Sequence, residues 1–152
     1  MNWILKNTDK LEFHTSLTEL LYPIFEDLKN CNWVLSDLDF IAHEEITIEF
    51  GKEYYILDEK DFEKFAKAKV QIIWGVISAI PKNESIELDI NNLPYVEGND
   101  DVWKDGNLQL SNSLIEIIAF DSSYTIIKFK SLNLSEKFKK YFDEAIELEK
   151  YK

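Results

Sequence analysis

The chain of 152 residues sets 29 carboxylates against 17 basic side chains, all of them lysine, for a formal net charge of −12. A field of that sign repels nucleic acid, polyanionic nucleotides and anionic membranes and attracts a basic macromolecule or a cation, and without arginine there is no planar fork for two-point capture of phosphate. With 45% hydrophobic and 14% aromatic residues, the composition predicts a packed core and one domain spanning 1–152, not a disordered acidic tail.

The opening MNWILKNTDKLEFH has no basic start followed by an apolar stretch and a small-residue cleavage site, so no signal peptide is expected. Leu17, Leu20, Leu21, Ile24, Phe25 and Leu28 recur at helical spacing, with Ser16 and Glu19 as a capping box. Pro23 within that stretch predicts a kink or two short helical pieces. The single Cys31 cannot close an internal disulfide, which fits a reducing, cytoplasmic setting; beside Trp33 and Val34 it reads as a small buried hydrophobe. Residues 32–35 read as a strand ended by Ser36-Asp37-Leu38-Asp39. Ile46, Ile48 and Phe50 alternate with polar neighbours ahead of Gly51-Lys52 and the run Tyr54 to Leu57, a hairpin pattern.

Asp58 is placed to cap a helix through about Ala68, with Phe62, Phe65 and Ala66 inward. The run VQIIWGVISAIP over 70–81 is too short to span a bilayer and predicts a central strand covered on both faces. A further strand is expected over 85–90. Residues 91–112, rich in Asn, Asp, Gly and Pro, predict a long surface loop. Runs 114–120 and 124–130 flank Asp121-Ser122-Ser123 as a second hairpin. Leu134, Phe138, Tyr141, Phe142, Ala145 and Leu148 predict one helical stripe packed on the sheet, capped by Asn133 or Ser135. The fold class expected is α+β: an antiparallel or mixed sheet with helices packed on one face.

No catalytic constellation emerges from these residues. The two histidines, His14 and His43, belong to no nucleophile–base motif, and Ser122-Ser123 sit at a hairpin tip where turn chemistry explains them. His43-Glu44-Glu45 lacks the second histidine of a zinc helix. In NDDVWKDGN, counting Asp101 as first ligand puts Asp105 and Gly106 at the fifth and sixth positions of a calcium loop, but Trp103 and Asn112 fall at the third and twelfth. No cofactor, metal or enzymatic activity is expected.

What stands out is acid interleaved with aromatics in irregular segments: Trp33, Asp37, Asp39, Glu44 and Glu45 in one, and Tyr95, Glu97, Asp100, Asp101, Trp103 and Asp105 in the other. Large aromatic rings offer contact area at low entropic cost, and carboxylates around them steer a basic partner. For Trp33, in a strand, a core position is the better reading; for Trp103 core and interface stand level.

The stretches NWVLSD, DEKDFEKF after the first hairpin, IIWGVISAIPKNESI and IEIIAFDSSYTIIKFKS together resemble small acidic bacterial proteins of this length without an enzymatic role, among them immunity proteins of polymorphic or contact-dependent toxin systems. The resemblance implies a cytoplasmic, non-enzymatic protein that neutralises a basic toxin domain, such as a nuclease, through its acidic face. No functional residue carries over from it. The alternative is a ligand-binding or regulatory α+β domain whose core aromatics line an apolar pocket.

Overall fold

The computed structural model describes every residue except Thr47, Phe50 and Lys152. Seven strands form one sheet: β1 (Trp3–Leu5), β2 (Cys31–Ala42), β3 (Tyr54–Leu57), β4 (Val70–Pro81), β5 (Ile115–Phe120), β6 (Tyr124–Phe129) and β7 (Ile146–Glu147), in the order β3-β2-β4-β5-β6-β1-β7. Every neighbouring pair is antiparallel. Among the described residues three α-helices accompany it: α1 (Leu17–Leu20), α2 (Glu59–Lys67) and α3 (Leu132–Tyr141). The class is α+β. Among the described residues no helix is long and apolar enough to cross a membrane.

Local chemistry accounts for most of these elements. Pro23 cannot donate to a carbonyl in the preceding turn, and the predicted first helix divides into α1 and a 3-10 helix over Tyr22–Leu28. The capping box does not close: the Ser16 hydroxyl donates to Glu19 Oε1 (3.0 Å), while Glu19 accepts the Glu12 amide instead of the N-cap amide. Asp58 caps α2 through Asp61 N–H (2.8 Å), as its spacing predicts. The tip of the β5–β6 hairpin holds Asp121 and Ser122 at φ of 50° and 54°, left-handed values that short polar side chains tolerate and that match the twist of the paired strands.

Alternation divides the buried side chains into two clusters. The larger takes Leu17 and Leu20 from α1, Phe62 and Phe65 from α2, and Leu134 and Phe138 from α3, packed with Trp3, Trp33, Leu35, Ile77 and Ile117 of the strands. Trp33 lies flat on Phe62, ring centroids 3.7 Å apart, which gives it the core position expected from its strand. Cys31 is buried here as well, and desolvation pushes its thiol up to about 11, so no reactive thiolate forms near neutral pH. The smaller cluster joins Ile4, Val76, Ile118 and Ile126 to Val96 and Val102 of the long loop and to Leu148.

Further expectations need correction. The sequence Ser36–Asp39 does not end a strand; it is an irregularity inside the twelve residues of β2, where pairing with β4 shifts register. Asp37 sits there at φ 52°, and the inward parity changes from Trp33 and Leu35 before it to Leu38, Phe40 and Ala42 after it. Gly75 on β4 lies opposite this bulge, where an added Cβ would meet Leu38 Cδ1 at 3.0 Å, so the absence of a side chain gives Leu38 room. The first predicted hairpin does not form: Tyr54–Leu57 pairs with Trp33–Ser36, and Ile46 and Ile48 instead pack against the core from a loop, with Phe50 outside the described residues.

Residues 85–90 form no strand, because both edges of β4 are occupied by β2 and β5, and Asp89 turns the chain by capping a short 3-10 turn at Ile90–Asn92. The last helix stops at Tyr141, capped by Ser131 and not by Asn133 or Ser135; Phe142, Ala145 and Leu148 are buried, but beyond its end. Strands β1 and β7 are additional, paired with each other at the far edge of the sheet.

Candidate functional site

The long loop is fastened over the smaller core cluster by side chains of the strands, Ser36, Glu116 and Lys128 buried and Asp37 exposed. Ser36 Oγ donates to the Pro94 carbonyl (2.8 Å), and Asp37 Oδ2 accepts the Val96 amide (2.9 Å). Gln109 N–H donates to Glu116 Oε2 (2.7 Å), and the buried Lys128 ammonium donates to the carbonyls of Asp101 (2.8 Å) and Asn107 (2.9 Å). Val96 and Val102 plug the loop into the apolar surface between these ties. Within the loop Asn99 donates to the Tyr95 carbonyl and to Gln109 Oε1. A segment composed like a flexible linker is therefore a fixed wall.

Ser78, Glu116 and Lys128 form a polar row across β4, β5 and β6, Ser78 directly opposite Glu116 and Glu116 directly opposite Lys128. All three are buried, and Ser78 Oγ and Glu116 Oε1 have no partner among the described residues. No motif marks this row; the charged positions at 116 and 128 in two strands otherwise without charge are the signal sequence reasoning could have used. Desolvation raises the Glu116 carboxyl to about 7, opposed by the Gln109 amide and the charge of Lys128. Burial likewise pulls Lys128 below its ordinary value, opposed by Glu116, Asp101 and Asp105.

Because the folded value for Glu116 lies above its ordinary 4.5, its stabilising contribution is complete below that pH and is lost as pH rises through about 7. The loss is about 3 kcal/mol. Glu116→Gln keeps the shape and stays neutral, so its unfolding free energy, measured by urea titration, is expected to overtake that of the parent chain between pH 5 and pH 8. Parallel profiles for the two proteins would show that Glu116 does not titrate in this window.

Against the fixed loop lies an open cleft of about 610 Å³. Asp37, Leu38 and Asp39 of the β2 bulge form one side and Leu93, Pro94, Tyr95 and Glu97 of the loop another, with Trp74, Lys52, Glu53 and Ile90 completing it. Four carboxylates thus face one ammonium. That ammonium is held by Glu49 (3.2 Å), and among the described residues Asp39, Glu53 and Glu97 have no ion-pair partner. Tyr95 is exposed beside them.

The structure therefore brings Asp37 and Asp39 from the first acidic segment together with Tyr95 and Glu97 from the second, and adds Glu53. Glu44 and Glu45 are exposed on the turn after β2 and do not line the cleft. Asp100, Asp101 and Trp103 lie further along the loop in a 3-10 turn, followed by exposed Asp105. Asp101 pairs with Lys104 (2.7 Å), whose hydrogen bond holds its carboxyl below the ordinary range. Trp103, 37% exposed, stacks on Tyr151 and meets Phe120 and Tyr124 edge-on, so its ring is part packing and part surface.

Among the described residues no three His, Cys, Asp or Glu side chains are grouped so as to hold a metal ion. The larger core aromatics pack on one another, and a concavity of about 550 Å³ is lined instead by Tyr22, Pro23, Phe25 and Ala66 together with Thr18, Glu26, Glu63 and Lys67. No protein-family model, curated protein or solved structure matches this chain.

Proposed function

We propose that this chain is a non-enzymatic binding protein that engages a basic protein through its acidic cleft, in the manner of an immunity protein that neutralises a toxin domain in the cytoplasm. The observation that supports it is the convergence of Asp37, Asp39, Glu53 and Glu97 on one open concavity beside exposed Tyr95. Lone carboxylates in solvent are unremarkable. Carboxylates without ion-pair partners among the described residues, around an aromatic on a hydrogen-bonded loop, offer both steering and a preorganised contact, so little ordering entropy is lost on binding. The division of the core also supports reading the sheet as helix-covered on one face and loop-covered on the other, which leaves the cleft clear of the helices.

Co-expression with the product of the neighbouring reading frame tests the immunity reading: relief of that product's toxicity, lost when Asp39, Glu53 and Glu97 are all converted to their amides, is expected. A harmless neighbour, or unchanged protection by the amide variant, overturns it. With the purified pair, the association rate is expected to fall by about tenfold or more as salt rises from low to several tenths molar, because exposed charges are screened beyond about 10 Å at 0.1 M. A flat salt series, measured by stopped flow, would remove charge steering from the account.

A further inference from the structure

Strand β3 ends the sheet, and among the described residues nothing pairs with its outer side. In an antiparallel strand, alternate residues turn both amide and carbonyl away from the neighbour, so this side presents unpaired donors and acceptors. Edge strands are ordinarily blunted by shortness, charge, proline, a bulge or a covering loop. The four residues of β3 are Tyr-Tyr-Ile-Leu, short but regular in register with β2 and without charge, proline or bulge. Tyr55 and Leu57 are buried in the larger cluster, while Ile56 is 49% exposed. At the opposite edge β7 has only two residues, too short to template another strand.

A groove of about 470 Å³ follows β3, lined by residues 52–56 and Ile90. Lys52, Glu53 and Ile90 also line the acidic cleft, so the open edge runs into it. A strand laid beside β3 would send alternate side chains to the cleft's face of the sheet, where carboxylates outnumber the one lysine. We infer that β3 is a docking edge for an extended basic segment of a partner protein, which joins the seven-stranded sheet as an added strand and places its cationic side chains in the acidic cleft. This rests on the acidic-face reading above and specifies how the partner is held. Main-chain hydrogen bonds to β3 supply affinity; charge in the cleft selects the sequence. A second copy of this chain is disfavoured at the edge, since pairing would oppose two molecules of net charge −12.

The probe is a capped peptide of alternating lysine and valine, added to the full chain, with amide hydrogen exchange and chemical shifts followed by NMR. Two controls accompany it: the same peptide N-methylated at alternate residues, and a version with glutamine for lysine. Expected are protection of the outward amides of β3 and an affinity loss of about tenfold or more, equivalent to about 1.4 kcal/mol, on N-methylation and again on replacing lysine. Equal binding by the N-methylated peptide, or shifts in the cleft without protection of β3, would overturn the docking edge while leaving the acidic face intact. Equal binding by the glutamine peptide would overturn the acidic-face reading. Failure of every peptide to bind, or protection of β3 that grows with protein concentration alone, would overturn the inference, the latter naming a second copy as occupant.

Discussion

Phe138→Ala is expected to lower the unfolding free energy by about 4 kcal/mol, a large share of what a domain of this size has. Phe138 is fully buried on α3, with ring centroids of Phe142 at 4.7 Å and Phe129 of β6 at 5.5 Å. Its ring is the junction between helix, sheet and the chain that continues into β7. One turn earlier on α3, Ser135 is itself tied down: Trp3 Nε1 donates to Ser135 Oγ (2.9 Å), which donates to the Met1 carbonyl (2.7 Å), which limits how far the helix can shift to fill the space. Urea denaturation monitored by far-ultraviolet dichroism gives the number. Phe138→Leu, which keeps most of the volume, is expected to lose less than half as much. A loss below about 1 kcal/mol for the alanine variant would show α3 to be a detachable arm, as a helix reserved for a partner would be.

Lys128→Ala is expected to cost a comparable amount, about 4 kcal/mol, for a different reason. Removing the side chain leaves the part-buried carbonyls of Asp101 and Asn107 without their donor, opens space under the loop and takes away the positive charge opposite Glu116. Lys128→Met separates these effects: it restores the volume but not the hydrogen bonds, and is expected to recover about half of the loss. The damage is also local. Chymotryptic cleavage in the loop around Trp103 should accelerate in both variants under conditions where the rest of the fold persists, because residues 101–107 lose their tie to β6. Unchanged loop cleavage in the methionine variant would mean that the packing of Val96 and Val102 and the ties from Ser36, Asp37 and Glu116 hold the loop, and that the ammonium bonds contribute nothing measurable.

These two side chains also mark the divide between what could be read from residues and what could not. The periodicity around Phe138 announces a buried helical face, and α2 with its Asp58 cap, the long central β4 and the β5–β6 hairpin are all legible, because capping, alternation and turn chemistry act within a few residues. Lys128 is different. A lysine in an apolar strand reads as an exposed position until the loop that covers it is placed, and that placement is a contact across 21 residues to Asn107. Glu116 escaped notice for the same reason.

By itself the sequence determined the sign and size of the charge, the α+β class, the single buried thiol and most of the regular elements, each a property of composition or of short-range spacing. It also singled out Asp37, Asp39, Tyr95 and Glu97, as members of two separate acidic segments. Tertiary structure decided that these four share a cleft, that Glu44 and Glu45 do not, and that Glu53 does. The cause is the bulge at Asp37: a turn-like tetrapeptide continues as a strand because β4 supplies a partner across the register shift, with Gly75 leaving room for Leu38. The chain ends were decided the same way. Two residues of β7 and three of β1 have too little local pattern to declare themselves, and become strands only because each finds the other, and β1 finds β6, at the sheet's edge.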